Sequence, residues 1–155
     1  MKEKELLKKL GEETLYSAKG HFKSVDLRRQ LITYAIWLCV ITSILDIMNL
    51  VPNDIWFDAF GLFGAIALLI WNEGEGKDYR AKHKAAAEYY LGLHKEIRSC
   101  FFLNECNVSQ VEELCKSVIE FDKSDKPEIP GFARRWAKRS IEKKDSETDN
   151  WFLEN

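Results

Sequence analysis

Residues 31–72 contain no Lys or Arg, and this constrains the chain more than any other feature. Two apolar runs, 31–51 and 55–71, are separated only by Pro52, Asn53 and Asp54. Pro52 cannot continue a helix and Asn-Asp favours a turn, so the two runs should fold back on each other. At about 1.5 Å per residue the first run is long enough for the roughly 30 Å of bilayer hydrocarbon. The second carries Asp58 near its start and spans only with Trp56 and Trp71 at the two interfaces. The expectation is an all-α protein built on a two-helix transmembrane hairpin, its cytoplasmic N- and C-terminal helices forming a helical bundle or coiled-coil-like layer.

The competing expectation is a buried helical hairpin inside a soluble bundle. An Asp at a helix centre costs about 2.5–3.5 kcal/mol on insertion, and Asp46 and Asp58 place one in each run, both towards the turn. The uncharged blocks that remain, 31–45 and 59–72, are short for spans. Flanking charge favours lipid. Lys19, Lys23, Arg28 and Arg29 precede the hairpin and Lys77, Arg80, Lys82 and Lys84 follow it, whereas the turn region holds Asp46, Asp54 and Asp58. Bases stay on the cytoplasmic side, which points to the bacterial inner membrane, a multi-pass chain and both termini cytoplasmic. The first thirty residues lack the apolar core of a cleavable signal, so the first run itself would direct insertion.

A formal net charge of −2 argues against nucleic-acid binding by bulk field. Few Gly and Pro favour long helices over a sheet. Cys39, Cys100, Cys106 and Cys115 show no C-x-x-C spacing and read as free thiols in a cytoplasmic setting. A zinc site from Cys100, Cys106, Cys115 and His94 matches no common ligand spacing, so neither metal nor other cofactor is expected.

Leu6, Leu7 and Leu10, then Leu15, Ala18, Phe22 and Val25, form a helical packing stripe in segment 1–30, with His21 beside it as a packing or hydrogen-bonding residue. In the hairpin, 31–72, Ala35, Cys39 and Ser43 step by four and Asp46 follows on the same face. Gly61 and Ala65, with Asp58 one turn earlier, give the second run a similar small-residue face. These residues either pack the hairpin internally or line a polar centre between several hairpins. In segment 73–121, Tyr79, Ala86, Tyr90, Leu93, Ile97 and Phe101 approach a heptad seam that suits the N-terminal helix, another subunit, or both. His83 and His94 fall off that seam and read as solvated or hydrogen-bonded.

On these residues the chain resembles the SLATT family, bacterial two-transmembrane effector proteins associated with nucleotide-signalling anti-phage defence. Three features carry the resemblance: Ala18-Lys19-Gly20-His21 before the hairpin, the short hairpin itself, and the run from Tyr79-Arg80-Ala81-Lys82-His83 to Tyr89-Tyr90-Leu91. It extends roughly over residues 15–99. What it implies is an effector that oligomerises and forms a pore or disrupts the inner membrane, with a defence-system protein or a nucleotide second messenger as partner.

Beyond residue 99 the resemblance is silent. Ser109 and Glu112 offer a capping box for a helix with Val111, Leu114, Cys115, Val118 and Phe121 on one face. Residues 122–131 read as a linker with little to pack. In 132–155 a basic amphipathic segment precedes an acidic tail. Arg134, Arg135, Lys138 and Arg139 would rest on anionic lipid or solvate a helix packed by Trp136; nucleic acid ranks last. No phosphate-binding loop, dinucleotide fingerprint, H-E-x-x-H or nucleophile elbow occurs, so no enzyme is expected. The leading function is a pore-forming or membrane-disrupting homo-oligomer in contact with lipid. The alternative is a membrane-anchored helical adaptor that recruits a cytoplasmic partner without conducting.

Overall fold

The computed structural model describes residues 2–48, 55–103, 106–142 and 151–153, without the side chains of residues 2, 46, 47, 55–60, 103, 142 and 153. Regular structure among the described residues is entirely helical: α1 (Lys2–Ile47), α2 (Ile55–Glu73), α3 (Glu75–Leu103), α4 (Val108–Lys123), α5 (Gly131–Glu142) and a 3-10 turn (Trp151–Leu153). The all-α expectation holds. The chain forms two compact units, Met1–Val25 with Lys82–Asn155, and Asp26–Ala81. Helices α1 and α3 each contribute to both. The boundary expected near residue 30 therefore falls inside a continuous helix, where neither proline nor glycine interrupts the backbone.

The first unit has a conventional core. Leu7, Leu10 and Leu15 of α1 meet Leu93 and Ile97 of α3, Val111, Leu114 and Val118 of α4, Ile141 of α5, and Trp151 and Phe152 of the 3-10 turn. Each such side chain contributes about 1.5–3 kcal/mol by leaving water. The seam of α3 is thus covered within its own chain. Two glycines of α1 admit close neighbours: a Cβ at Gly11 would stand 2.5 Å from Trp151 Cζ2, and one at Gly20 would stand 3.0 Å from Ile129 Cδ1. Ile129 belongs to the segment read as an unpacked linker, which instead packs against α1.

The capping box of α4 lies two residues earlier than Ser109 and Glu112 suggest. Asn107 Oδ1 accepts from the Gln110 backbone N–H at 3.0 Å, and Gln110 Oε1 accepts from the Asn107 N–H at 3.0 Å. Asn107 adopts the extended backbone of an N-cap, and Ser109 donates its hydroxyl to the same Oδ1. A second correction concerns sulfur. Cys100 and Cys106 form a disulfide, their Cα atoms 5.2 Å apart where α3 ends and α4 is about to begin; Cys39 and Cys115 are free. That bond removes two of the thiols considered for zinc.

In the second unit α2 returns antiparallel to the distal half of α1. The contacts run in opposite directions along the two helices: Gly61 approaches Thr42 and Ser43, with 3.8 Å from its Cβ position to either hydroxyl, while Trp71 approaches Arg28. Thr42 and Ser43 donate to carbonyls of Leu38 and Cys39 in their own helix. The Arg28 guanidinium lies between the rings of Trp71 and Tyr79, at 4.2 and 4.3 Å. Arg80 donates to Asn72 Oδ1 at 2.6 Å, and Trp71 Nε1 to Glu75 at 2.7 Å.

The transmembrane expectation does not survive. Among the described residues, no helix is long and apolar enough to cross a membrane. The physical reason lies in the two uncharged blocks. Fifteen residues, 31–45, rise only about 22 Å, and the 59–72 block is shorter still, against roughly 30 Å of hydrocarbon. Arg28 and Arg29 continue in the same helix on one side of the first block, and Asp46 bounds the other. The multi-pass inner-membrane location with cytoplasmic termini is withdrawn with the spans on which it rested.

Candidate functional site

The first unit buries a polar cluster that no local sequence pattern announces. His21 of α1 and His83 of α3 are fully buried, and their Nδ1 atoms lie 2.8 Å apart. One ring must donate at Nδ1 and the other accept, so the pair cannot be doubly protonated in this geometry. Burial, then His83, then Lys126 lower the His21 pKa to about 4. The Tyr90 ring stacks on His21 with centroids 5.8 Å apart.

From Tyr90 the cluster reaches the surface. Its hydroxyl donates to Asp122 Oδ1, and the Lys126 ammonium donates both to the Tyr90 oxygen and to Asp122. Burial and the Asp122 carboxylate push the Tyr90 pKa up, which keeps the phenol protonated. Burial would also raise Asp122, but hydrogen bonds from Lys126 and Tyr90 outweigh it and hold the carboxyl below its usual range. Lys126 and Asp122 are spaced i, i+4 around the end of α4, so the segment after α4 is anchored by polar bonds.

Above this cluster runs an open groove of about 1160 Å³ between α1 and residues 122–138, with His21 and Lys126 among its lining. Arg134 and Lys138 lie on its α5 side and Glu12 and Glu13 on its α1 side. A separate polar seat holds the C-terminal turn. His94 Nδ1 bonds the Gly11 carbonyl at 2.9 Å, which requires a proton at Nδ1 and leaves Nε2 to accept from Trp151 Nε1 at 3.3 Å.

The residues singled out in the sequence are distributed as follows. Ala35, Cys39, Ser43 and Ala65 are half-buried in the second unit, and Gly61 packs on Ser43. The side chains of Asp46 and Asp58 lie outside the described residues. Tyr79 stacks on Arg28, whereas Ala86, Tyr90, Leu93 and Ile97 are buried in the first unit. Arg134, Arg135, Lys138 and Arg139 are exposed, and Ala133, Ala137 and Ile141 turn the opposite face of α5 inward. Among the described residues no three His, Cys, Asp or Glu side chains converge as metal ligands. Sequence reasoning missed the His21–His83 pair. The two positions are 62 residues apart, and the signal that joined them was that each stands in a segment carrying the SLATT resemblance, one before the hairpin and one after it.

The second unit is the reverse of the first. Leu31, Tyr34, Trp37, Leu38 and Ile41 of α1 and Leu62, Phe63, Leu69 and Ile70 of α2 are exposed by about half or more. Fold and surface together define a class: an all-helical protein combining a polar-centred helical unit with an apolar helical hairpin. No family model, curated protein or solved structure matches the chain.

Proposed function

We propose that the chain is a self-assembling helical adaptor, whose hairpin joins copies of itself while the first unit presents a polar surface to a partner. The observation that carries this reading is the exposed apolar surface of the hairpin. Its large exposed side chains sum to something on the order of 1,500 Å² over the two helices. A standard interface takes roughly 800 Å² from each partner. A second copy is the favoured occupant because the faces are uncharged over 31–45 and 59–72, so like surfaces meet without repulsion or stranded charge. The pore reading required two spanning helices per chain; assembly does not. The SLATT resemblance adds anti-phage defence as the setting in which assembly would act.

Light scattering after size exclusion tests assembly directly. The unmutated protein is expected to run as a dimer or larger at micromolar concentration, and Trp37→Glu with Phe63→Glu to shift it towards monomer with unchanged helical circular dichroism. A monomer at all concentrations overturns the reading. So does flotation with liposomes in place of self-association, which would give the apolar face to lipid. Phage plating with the unmutated and the double-mutant protein reads out the defence setting separately.

A further inference from the structure

One residue in the lining of the groove over the polar cluster carries a polar atom that no protein group matches. His21 Nε2 is buried, has no hydrogen-bond partner, and belongs to a side chain that lines the groove floor. A buried imidazole nitrogen left unmatched is costly, and a ligand atom that accepts its proton removes that cost. Around it the floor is rich in donors. The Lys126 ammonium spends two of its three N–H groups on Tyr90 and Asp122, and the Ser17 hydroxyl donates to the Tyr90 oxygen, a bond it would exchange for one to a ligand. Ser17, His21 and Lys126 all line the same groove.

We propose that this groove binds the oxyanion head of a ligand, a carboxylate or a phosphate group, seated on His21 Nε2, Lys126 and Ser17. When His83 donates from its Nδ1, His21 accepts at Nδ1 and carries its proton at Nε2, the tautomer an oxyanion selects. The neutral ring then acts as a donor and Lys126 supplies the charge. Asp122 does not oppose the anion strongly, because Tyr90 and Lys126 already satisfy it. The rim is neutral overall, with Lys9, Arg134 and Lys138 set against Glu12, Glu13 and Glu128. Head-group recognition therefore falls to the floor, and the rim is left to contact the rest of the ligand.

The protein has three histidines, so nitrogen-15 NMR of histidine-labelled full-length chain reads the site directly. Sodium phosphate and sodium acetate are titrated separately to about 50 mM, against sodium chloride of equal ionic strength. A saturable movement of His21 Nε2 towards its protonated, hydrogen-bonded position is expected with at least one of them, and the two arms identify the favoured head group. His94, tied to Gly11 and Trp151, should not move. Lys126→Met should weaken the response about tenfold and Ser17→Ala less, with helical circular dichroism retained. If neither salt moves His21, if chloride moves it equally, or if Lys126→Met leaves the affinity unchanged, the proposal is overturned. None of these outcomes depends on self-association through the hairpin.

Discussion

His21 is neutral because of where it sits: it is fully buried and next to His83 and Lys126. Its pKa of about 4 in the folded chain lies below the 6.5 expected when unfolded, so the unfolded chain takes up the proton first. The contribution to stability is fully present above pH 6.5 and is lost as pH falls from 6.5 towards 4. The loss amounts to roughly 3 kcal/mol at most, at about 1.4 kcal/mol per unit. Urea denaturation across that window should show the slope in unmutated protein and a flatter profile in His21→Gln. Equal slopes would remove His21 as the cause. Glycines supply a second comparison at this scale. A Cβ at Gly11 would collide with the rigid, buried indole of Trp151, whereas one at exposed Gly92 would meet nothing within 4 Å. Gly11→Ala should therefore destabilise by about 1–2 kcal/mol, overpacking outweighing the gain in helix propensity. Gly92→Ala should stabilise by about 0.5–1 kcal/mol. Denaturation midpoints that moved in the same direction would contradict this account.

At the scale of elements, the shortest one carries weight out of proportion to its length. The 3-10 turn Trp151–Leu153 places two aromatic residues in the core, with Trp151 against Phe101 at 4.7 Å between centroids. It also satisfies the Nε2 of His94. A chain ending at residue 150 should lose about 3 kcal/mol or more in thermal or urea unfolding, through the cavity and the unmatched imidazole together. Little change would show that the turn merely rests on the surface. The turn was not legible as structure, because three residues carry no periodicity and an acidic stretch precedes them. Helix α4 was legible: Val111, Leu114 and Val118 are the buried stripe that its spacing indicated. Its start was not, since Asn107 and Ser109 are both good caps and only the backbone conformation chooses between them.

At the scale of the whole molecule, apolar surface is divided unevenly. In the first unit the stripes of α1, α3, α4 and α5 cover one another. In the second, large aliphatic and aromatic side chains remain exposed on both helices of the hairpin, and the proposed self-association is the way this surface leaves water. Asp46 and Asp58 shorten each uncharged block below the bilayer thickness, and this outweighs the flanking charge that favoured lipid. The candidate site was the least legible part. Its donors come from α1, α3 and the segment after α4, and a histidine beside an apolar stripe reads the same with or without a partner. What the sequence by itself determined is that the chain is helical and where its apolar stripes lie, because helix periodicity and turn chemistry are properties of neighbouring residues. What only the tertiary structure decided is which polar groups meet. Burial brings His21 to His83, Lys126 to Tyr90 and Trp151 to Gly11 across tens of residues, and no local spacing encodes that proximity.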